Sequence, residues 1–243
     1  MQKAIAILVA VTLAVALLAV ACRAGAPSYD DATAEKIFAA AEEAMRRVGS
    51  FASLHEWTIG TETVTRKNEL QDEQNYRSTL TVSDEGAPHP RMGPWEVAVV
   101  DGERFAPQAY KGSGSPPTYT LPDDLYDLER LDDATLDDTR VYHLRGTRLP
   151  DEETTSGITT VRTSHWTFDL FIDAATLLLV RSEARAAITI ATTPEDRQAE
   201  EHTYEGFSTT TYSRFGEAFR IVPPPPTPTP TPLPTATPTP MPR

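Results

Sequence analysis

Three kinds of apolar pattern succeed one another along the chain. The first is a run from Ala4 to Ala21, preceded by Lys3 and ended by Cys22. A basic start, an apolar middle and the small residues Ala19, Val20 and Ala21 at its end form the layout of an export signal. The second pattern is helical: Ile37, Ala41, Ala44, Met45 and Val48 recur at steps of three, four and seven, with Glu35, Lys36, Glu42, Glu43, Arg46 and Arg47 between them. That spacing predicts an amphipathic helix of about four turns, opened by the side-chain oxygens of Ser28 to Asp31 and stopped at Gly49.

The third pattern has period two and occupies most of the remainder. Phe51 to Lys67 places Phe51, Trp57 and Ile59 on one parity, and Tyr76 to Val82 alternates Tyr76, Ser78, Leu80 and Val82 against Arg77, Thr79 and Thr81. Trp95 to Val100 and Glu103 to Tyr110 flank Asp101-Gly102, the residue pair of a tight hairpin turn. Ser164 to Asp173 gathers Trp166, Phe168, Leu170 and Ile172 on one face, and Leu177 to Ile190 gathers Leu178, Val180, Ser182, Ala184, Ala186, Ile188 and Ile190. His165, Thr167, Asp169, Arg181, Glu183 and Arg185 form the opposite, wet face of this hairpin. A last pair of strands is expected over about 201–211 and 218–222. Between the hairpins, Leu121 to Asp138 reads as a second, acidic helix with Leu125, Leu128 and Leu131 on one face. These elements define an α+β fold: a large, mostly antiparallel sheet with an N-terminal and a mid-chain helix.

Punctuation sets the boundaries: a signal peptide over 1–21, a tether over 22–31, one domain over 32–222 and a Pro/Thr-rich tail over 223–243. More than half of the chain's 21 prolines lie in that tail, in runs such as TPTPTPLPTATPTP. Proline lacks an amide donor and fixes φ, so the tail reads as an extended spacer or a passive end. The domain is long enough for one core. Cys22 is the single cysteine, so disulfides cannot staple the fold and the core must hold it.

Charge and chemistry narrow the function. There are 22 Lys and Arg against 35 Asp and Glu, without the basic clusters that neutralise phosphates, so nucleic acid is excluded as a partner. His55, His89, His143, His165 and His202 are scattered with no i, i+4 pairing, so no metal or cofactor is expected. No G-x-S-x-G turn or phosphate-cradling glycine loop is present. Asp123-Asp124, Asp132-Asp133 and Asp137-Asp138 read as solvated acids, so no enzyme is expected. Cleavage before Cys22 would leave a thiol that can carry a diacylglycerol and hold the protein to the outer face of a bacterial cell membrane. Ala19 stands where the lipoprotein signal usually has a branched residue, and two alternatives stay open: simple release, or an uncleaved anchor.

Several local motifs resemble one family. Asp101-Gly102-Glu103-Arg104-Phe105 is similar to its D-G-x-x-Y/F hairpin and Val141-Tyr142-His143-Leu144-Arg145-Gly146 to its Y-x-L-x-G strand. Phe171 to Leu178 is similar to its W-I-D-x-x-T-x-L hairpin, with Phe171 in place of the commoner Trp. Tyr212 to Gly216 followed by Ile221-Val222-Pro223 is similar to its ending, with Arg214 in place of the usual Asp. The chain thus resembles the LolA-like lipoprotein carriers and their LppX and LprG relatives. That resemblance implies a curved half-barrel wrapping its helices around an apolar cavity, and a lipid or other acyl-chain ligand that is carried or presented. The cavity wall would be drawn from Trp57, Trp166, Phe168, Leu170, Ile172, Val180, Ala184 and Ile188, with Cys22 as the lipid attachment site. The rival is an envelope interaction or sensor module with a packed core.

Overall fold

The computed structural model describes residues 28–84, 92–106, 116–149, 153–156, 158–192 and 200–224. Cys22, the apolar run before it and nearly all of the proline tail therefore lie outside the described residues. Helix α1 spans Ala34–Met45, with Thr33 at its N-cap. It buries Ala34, Ile37, Ala41 and Met45, one side of the apolar stripe.

Thirteen strands follow: β1 (Phe51–Ile59), β2 (Glu62–Asp72), β3 (Asn75–Asp84), β4 (Met92–Val100), β5 (Glu103–Phe105), β6 (Tyr126–Arg130), β7 (Ala134–Leu136), β8 (Thr139–Arg148), β9 (Thr154–Ser156), β10 (Thr159–Thr163), β11 (Trp166–Asp173), β12 (Leu179–Thr192) and β13 (Glu200–Ser213). They form one antiparallel sheet in the order β5-β4-β3-β2-β1-β13-β12-β11-β8-β6, with β7 on β8, β10 on β12 and β9 on β10. The end strands β5 and β6 do not pair with each other, so the sheet is an open half-barrel, an α+β fold. Meander connections explain most of the order. The non-consecutive pairs are β11·β8, β8·β6, β10·β12 and β1·β13, the last of which joins the N-terminal half of the sheet to its C-terminal half.

The Thr-rich stretch after Phe51 is two strands rather than one, folded at Gly60, whose φ of 57° suits a tight reversal. Asp101 and Gly102 both have positive φ, 51° and 79°, as the turn between β4 and β5 requires. The 173–178 turn is built by Asp173, whose Oδ1 accepts from the amides of Ala175 (2.8 Å) and Thr176 (2.7 Å). Residues 218–222 form no strand, although Ile221 is buried.

The mid-chain helix is not present. Leu121 to Asp138 contains β6, β7 and turns instead, with Asp124, Asp127, Asp137 and Asp138 in the left-handed region. Such a run of positive φ cannot belong to a right-handed helix, and Asp tolerates it better than most residues. The three-residue spacing has a different origin. A bulge between Tyr126 and Glu129 sets three steps of β6 against two of β8, so Leu125 and Leu128 return to one side and pack over Gly146. A Cβ at Gly146 would meet Leu128 Cδ2 at 3.1 Å and Leu125 Cδ1 at 3.2 Å.

The core lies between α1 and one end of the inner sheet face. It joins Ile37, Ala41 and Met45 to Tyr142, Leu144, Leu170, Ile172 and Leu179, with Leu121 from the mid-chain segment. A second bulge, between Phe171 and Ile172, pairs Phe171 with Arg181 but Ile172 with Leu179. Val180 is the extra residue, so Leu179 takes the inward place that strict alternation gives to Leu178 and Val180.

Candidate functional site: the inner face of the half-barrel

Register propagates one side-chain parity across the sheet, because residues opposite each other share a face. One continuous line runs Gly146, Phe168, Ala184, Ser208, Trp57, Val64 and Val82 across seven strands. The next line toward α1 is Leu144, Leu170, Ser182, Thr210, His55, Arg66, Leu80 and Trp95. On the other side of the first line are Trp166 beside Arg148, Gly206 between Ala186 and Ile59, and Ile188 beside Tyr204. The inner face is therefore a trough whose two ends differ. At the base, Ile172, Tyr142 and Leu179 are buried in the core cluster with α1. At the far end Trp57 and Tyr204 are each 36% exposed, and Trp166, Phe168, Ile59 and Val64 are half-buried.

The sequence-derived cavity residues divide accordingly. Leu170 and Ile172 are fully buried at the base. Phe168, Ala184 and Trp57 stand on the single line across the middle, with Trp166 (ring centroids 6.2 Å from Phe168) and Ile188 beyond it. Val180, on its bulge, lines a separate cleft of about 310 Å³ with Asp173, Arg181 and Tyr212. The floor of the trough carries only small residues at Ala184, Ala186, Gly206 and Ser208. Ile188 leans over Gly206, where an added Cβ would come within 2.6 Å of its Cδ1.

Polar groups line the trough between its ends. His55 Nδ1 and Thr210 Oγ1 are 2.8 Å apart, and Asn68 Nδ2 donates to Ser53 Oγ at 3.0 Å. Burial, reinforced by Arg66 and opposed by Glu56, holds the His55 ring below the usual imidazole range. At the base, Tyr119 donates its hydroxyl to the Leu179 carbonyl (2.8 Å), within an aromatic group that includes Phe51, Tyr212 and Phe215. Burial pushes the Tyr212 hydroxyl up to about 12, and burial together with the nearby Tyr212 raises that of Tyr119.

Sequence alternation missed two groups. On the outer face, Asp169 is only 7% exposed, not wet: His143 Nε2 (2.8 Å) and Arg145 Nε (3.0 Å) converge on its Oδ1, and Phe171 stacks on His143 at 4.5 Å. Alternation gives the face but not the neighbours on β8 that cover it. The second group is a clamp on the chain entering α1. Arg130 Nη1 donates to the carbonyls of Tyr29 (3.0 Å), Asp30 (2.6 Å) and Ala32 (3.1 Å), while Arg140 bonds Asp30 and Asp133, each at 2.6 Å. Both guanidinium groups lie over the Tyr142 ring. The hydrogen bond from Arg140 holds Asp30 below the usual carboxylate range. Burial opposes the same shift at Asp133, where the hydrogen bonds from Arg130 and Arg140 outweigh it.

Among the described residues no group of three or more His, Cys, Asp or Glu side chains converges as a metal site would, and no helix is long and apolar enough to cross a membrane. What the fold and the trough define is a class: an open antiparallel half-barrel with, among the described residues, one helix filling one end of its inner face. No protein-family model matches the chain, and no curated protein does. Among solved structures it is similar to LprF from Mycobacterium bovis, at 13% identity and a TM-score of 0.43, covering 82% of this chain and 98% of that one. It is also similar to the lipoprotein LppX from Mycobacterium tuberculosis, at 12% identity and a TM-score of 0.43, covering 77% of this chain and 99% of that one.

Proposed function

We propose that the chain is a membrane-tethered envelope lipoprotein that takes a lipid or other acyl-chain ligand in the far half of its trough and carries or presents it. The observation that carries this reading is the division of the inner face: α1 packs on the base, with Phe168 at the edge of that core, while the same face continues beyond it as Trp57, Ile59, Val64 and Trp166, half-buried or exposed. An alkyl chain laid along that strip would gain about 0.8 kcal/mol per methylene removed from water. Trp57 and Tyr204 would edge the chain with rings that tolerate both water and hydrocarbon. The proposed role asks for no catalytic residue, cofactor or metal. The tether is Cys22, lipidated after removal of 1–21. Replacing Cys22 by Ser should move the protein from the membrane fraction to the soluble one, and retention on the membrane after signal removal would contradict the anchor.

A second reading, an interaction or sensor module with a packed core, is favoured by the burial of Ala184 (5% exposed) on the middle line and of Ile188 (4%) beside Tyr204 at the far end. Ala184→Trp separates the two. If the trough opens for a ligand, the indole occupies that space, a fluorescent fatty-acyl probe is displaced and thermal stability changes little. In a close-packed core the same substitution costs about 1–3 kcal/mol through overpacking. That cost, together with no probe binding by the wild type, would reject the carrier reading.

A further inference from the structure

We infer that the domain stands with the α1-covered base of its trough toward the anchoring membrane and the exposed end away from it, so that a ligand is presented to an acceptor across the envelope space. This rests on the proposed anchoring at Cys22 and the proposed ligand trough, and adds a direction to them. The base is where the chain enters. Arg130 and Arg140 fix Tyr29, Asp30 and Ala32, and the Arg140 carbonyl accepts from the Ala174 amide at 3.0 Å, just past the end of β11. The start of β1, the ends of β2 and β13, the start of β12 and the end of β11 all meet at this level, as Phe51↔Leu70, Ala52↔Ser213, Arg181↔Thr211 and Ile172↔Leu179 show.

The chain also leaves the fold at the base. Ser50 Oγ donates to the Glu217 carbonyl (2.8 Å), the Gly216 amide to the Ser50 carbonyl (3.0 Å) and the Phe219 amide to Gln71 Oε1 (2.6 Å). The described chain therefore leaves the fold at the base, not at the exposed end. Distance makes the arrangement hard to invert. Nine residues of β13 separate Ser213 from Tyr204, about 30 Å of strand. Seven residues separate Cys22 from Tyr29 and reach at most about 25 Å when fully extended. A stem clamped at Tyr29 is thus shorter, even fully extended, than the stretch of β13 that separates the base from Tyr204, which favours the base as the end nearer the membrane.

The tryptophans make the test direct, because Trp57 and Trp166 lie on the inner face away from the base and Trp95 one line nearer to it, level with Leu170. The mature chain is coupled through its single thiol, Cys22, to maleimide-headgroup lipid in phosphatidylcholine–phosphatidylglycerol vesicles that also carry dansyl-headgroup lipid. Energy transfer from the native tryptophans to dansyl should be weak. It should be several-fold stronger from a base reporter, Phe219→Trp, in a chain whose Trp57, Trp95 and Trp166 are Phe. Arg140→Gln, which cuts the exposed bond to Asp30, should raise transfer from the native tryptophans. Native transfer as strong as that of the base reporter would overturn the orientation, and an unchanged signal in Arg140→Gln would remove the clamp from it. Binding of cis-parinaric acid, measured on the same vesicles, separates the two claims. Strong native transfer with acyl-probe binding intact discards the direction and leaves the carrier reading; weak transfer without probe binding discards the carrier reading and leaves the direction.

Discussion

The His55 ring lies in the trough against Thr210, between the buried base and the exposed aromatic end. Because burial lowers its proton affinity in the folded state, the unfolded chain binds the proton first as pH falls below about 6.5. This contribution to stability is fully present above that pH and is lost on acidification toward the lower folded value. Urea denaturation at about pH 7.5 and about pH 5 should show the domain weaker at the lower pH, and His55→Gln should shrink the difference. An unchanged difference would mean that His55 titrates as an exposed imidazole. At this scale the sequence was legible where alternation alone decides: Phe51, Trp57 and Ile59 share a face, as do Trp166, Phe168, Leu170 and Ile172. It was not legible at Asp169 or Val180. The burial of Asp169 depends on His143 and Arg145 from β8, twenty-odd residues away, and Val180 owes its place to a bulge that no residue type announces.

Among elements, α1 and the β11·β12 hairpin follow from local periodicity, helical steps as far as Met45 in one and alternation up to the Val180 bulge in the other. The mid-chain segment does not. Its leucines repeat every three residues like a helix, yet Asp127 at φ 51° sits in a strand bulge that yields the same spacing. A repeat of two or three leucines cannot separate these geometries, and only pairing with β8 decides between them. That pairing delivers Arg130 to the stem. Its side chain is only 20% exposed and serves three main-chain carbonyls, so Arg130→Met removes a charged donor from the carbonyls of half-buried Tyr29 and Ala32 and of exposed Asp30. We expect a loss of about 1–3 kcal/mol in urea denaturation. The exposed pairs of Arg46 and Arg47 with Glu42 and Glu43 on α1 should each matter by well under about 1 kcal/mol. If Arg130→Met is as mild as removal of those pairs, the clamp contributes little to holding the stem on the fold.

For the molecule as a whole, the half-barrel architecture could be anticipated from strand count, alternation and the family resemblance. The division of the trough could not, since it depends on how far α1 reaches along an inner face assembled from strands distant in sequence. Nor could the entry to α1 and the exit after β13 falling at the same end of the sheet, where the Arg130 clamp and the Ser50–Glu217 hydrogen bond hold them. The central claim is that this trough holds an acyl chain. Native mass spectrometry of the protein purified from its own envelope tests it most directly. A mature chain beginning at a lipidated Cys22, with one additional lipid-sized mass that dissociates on activation and is lost in Ala184→Trp, is the result the account predicts. A chain that carries no adduct when extracted from its own membrane under conditions that keep it folded would contradict it.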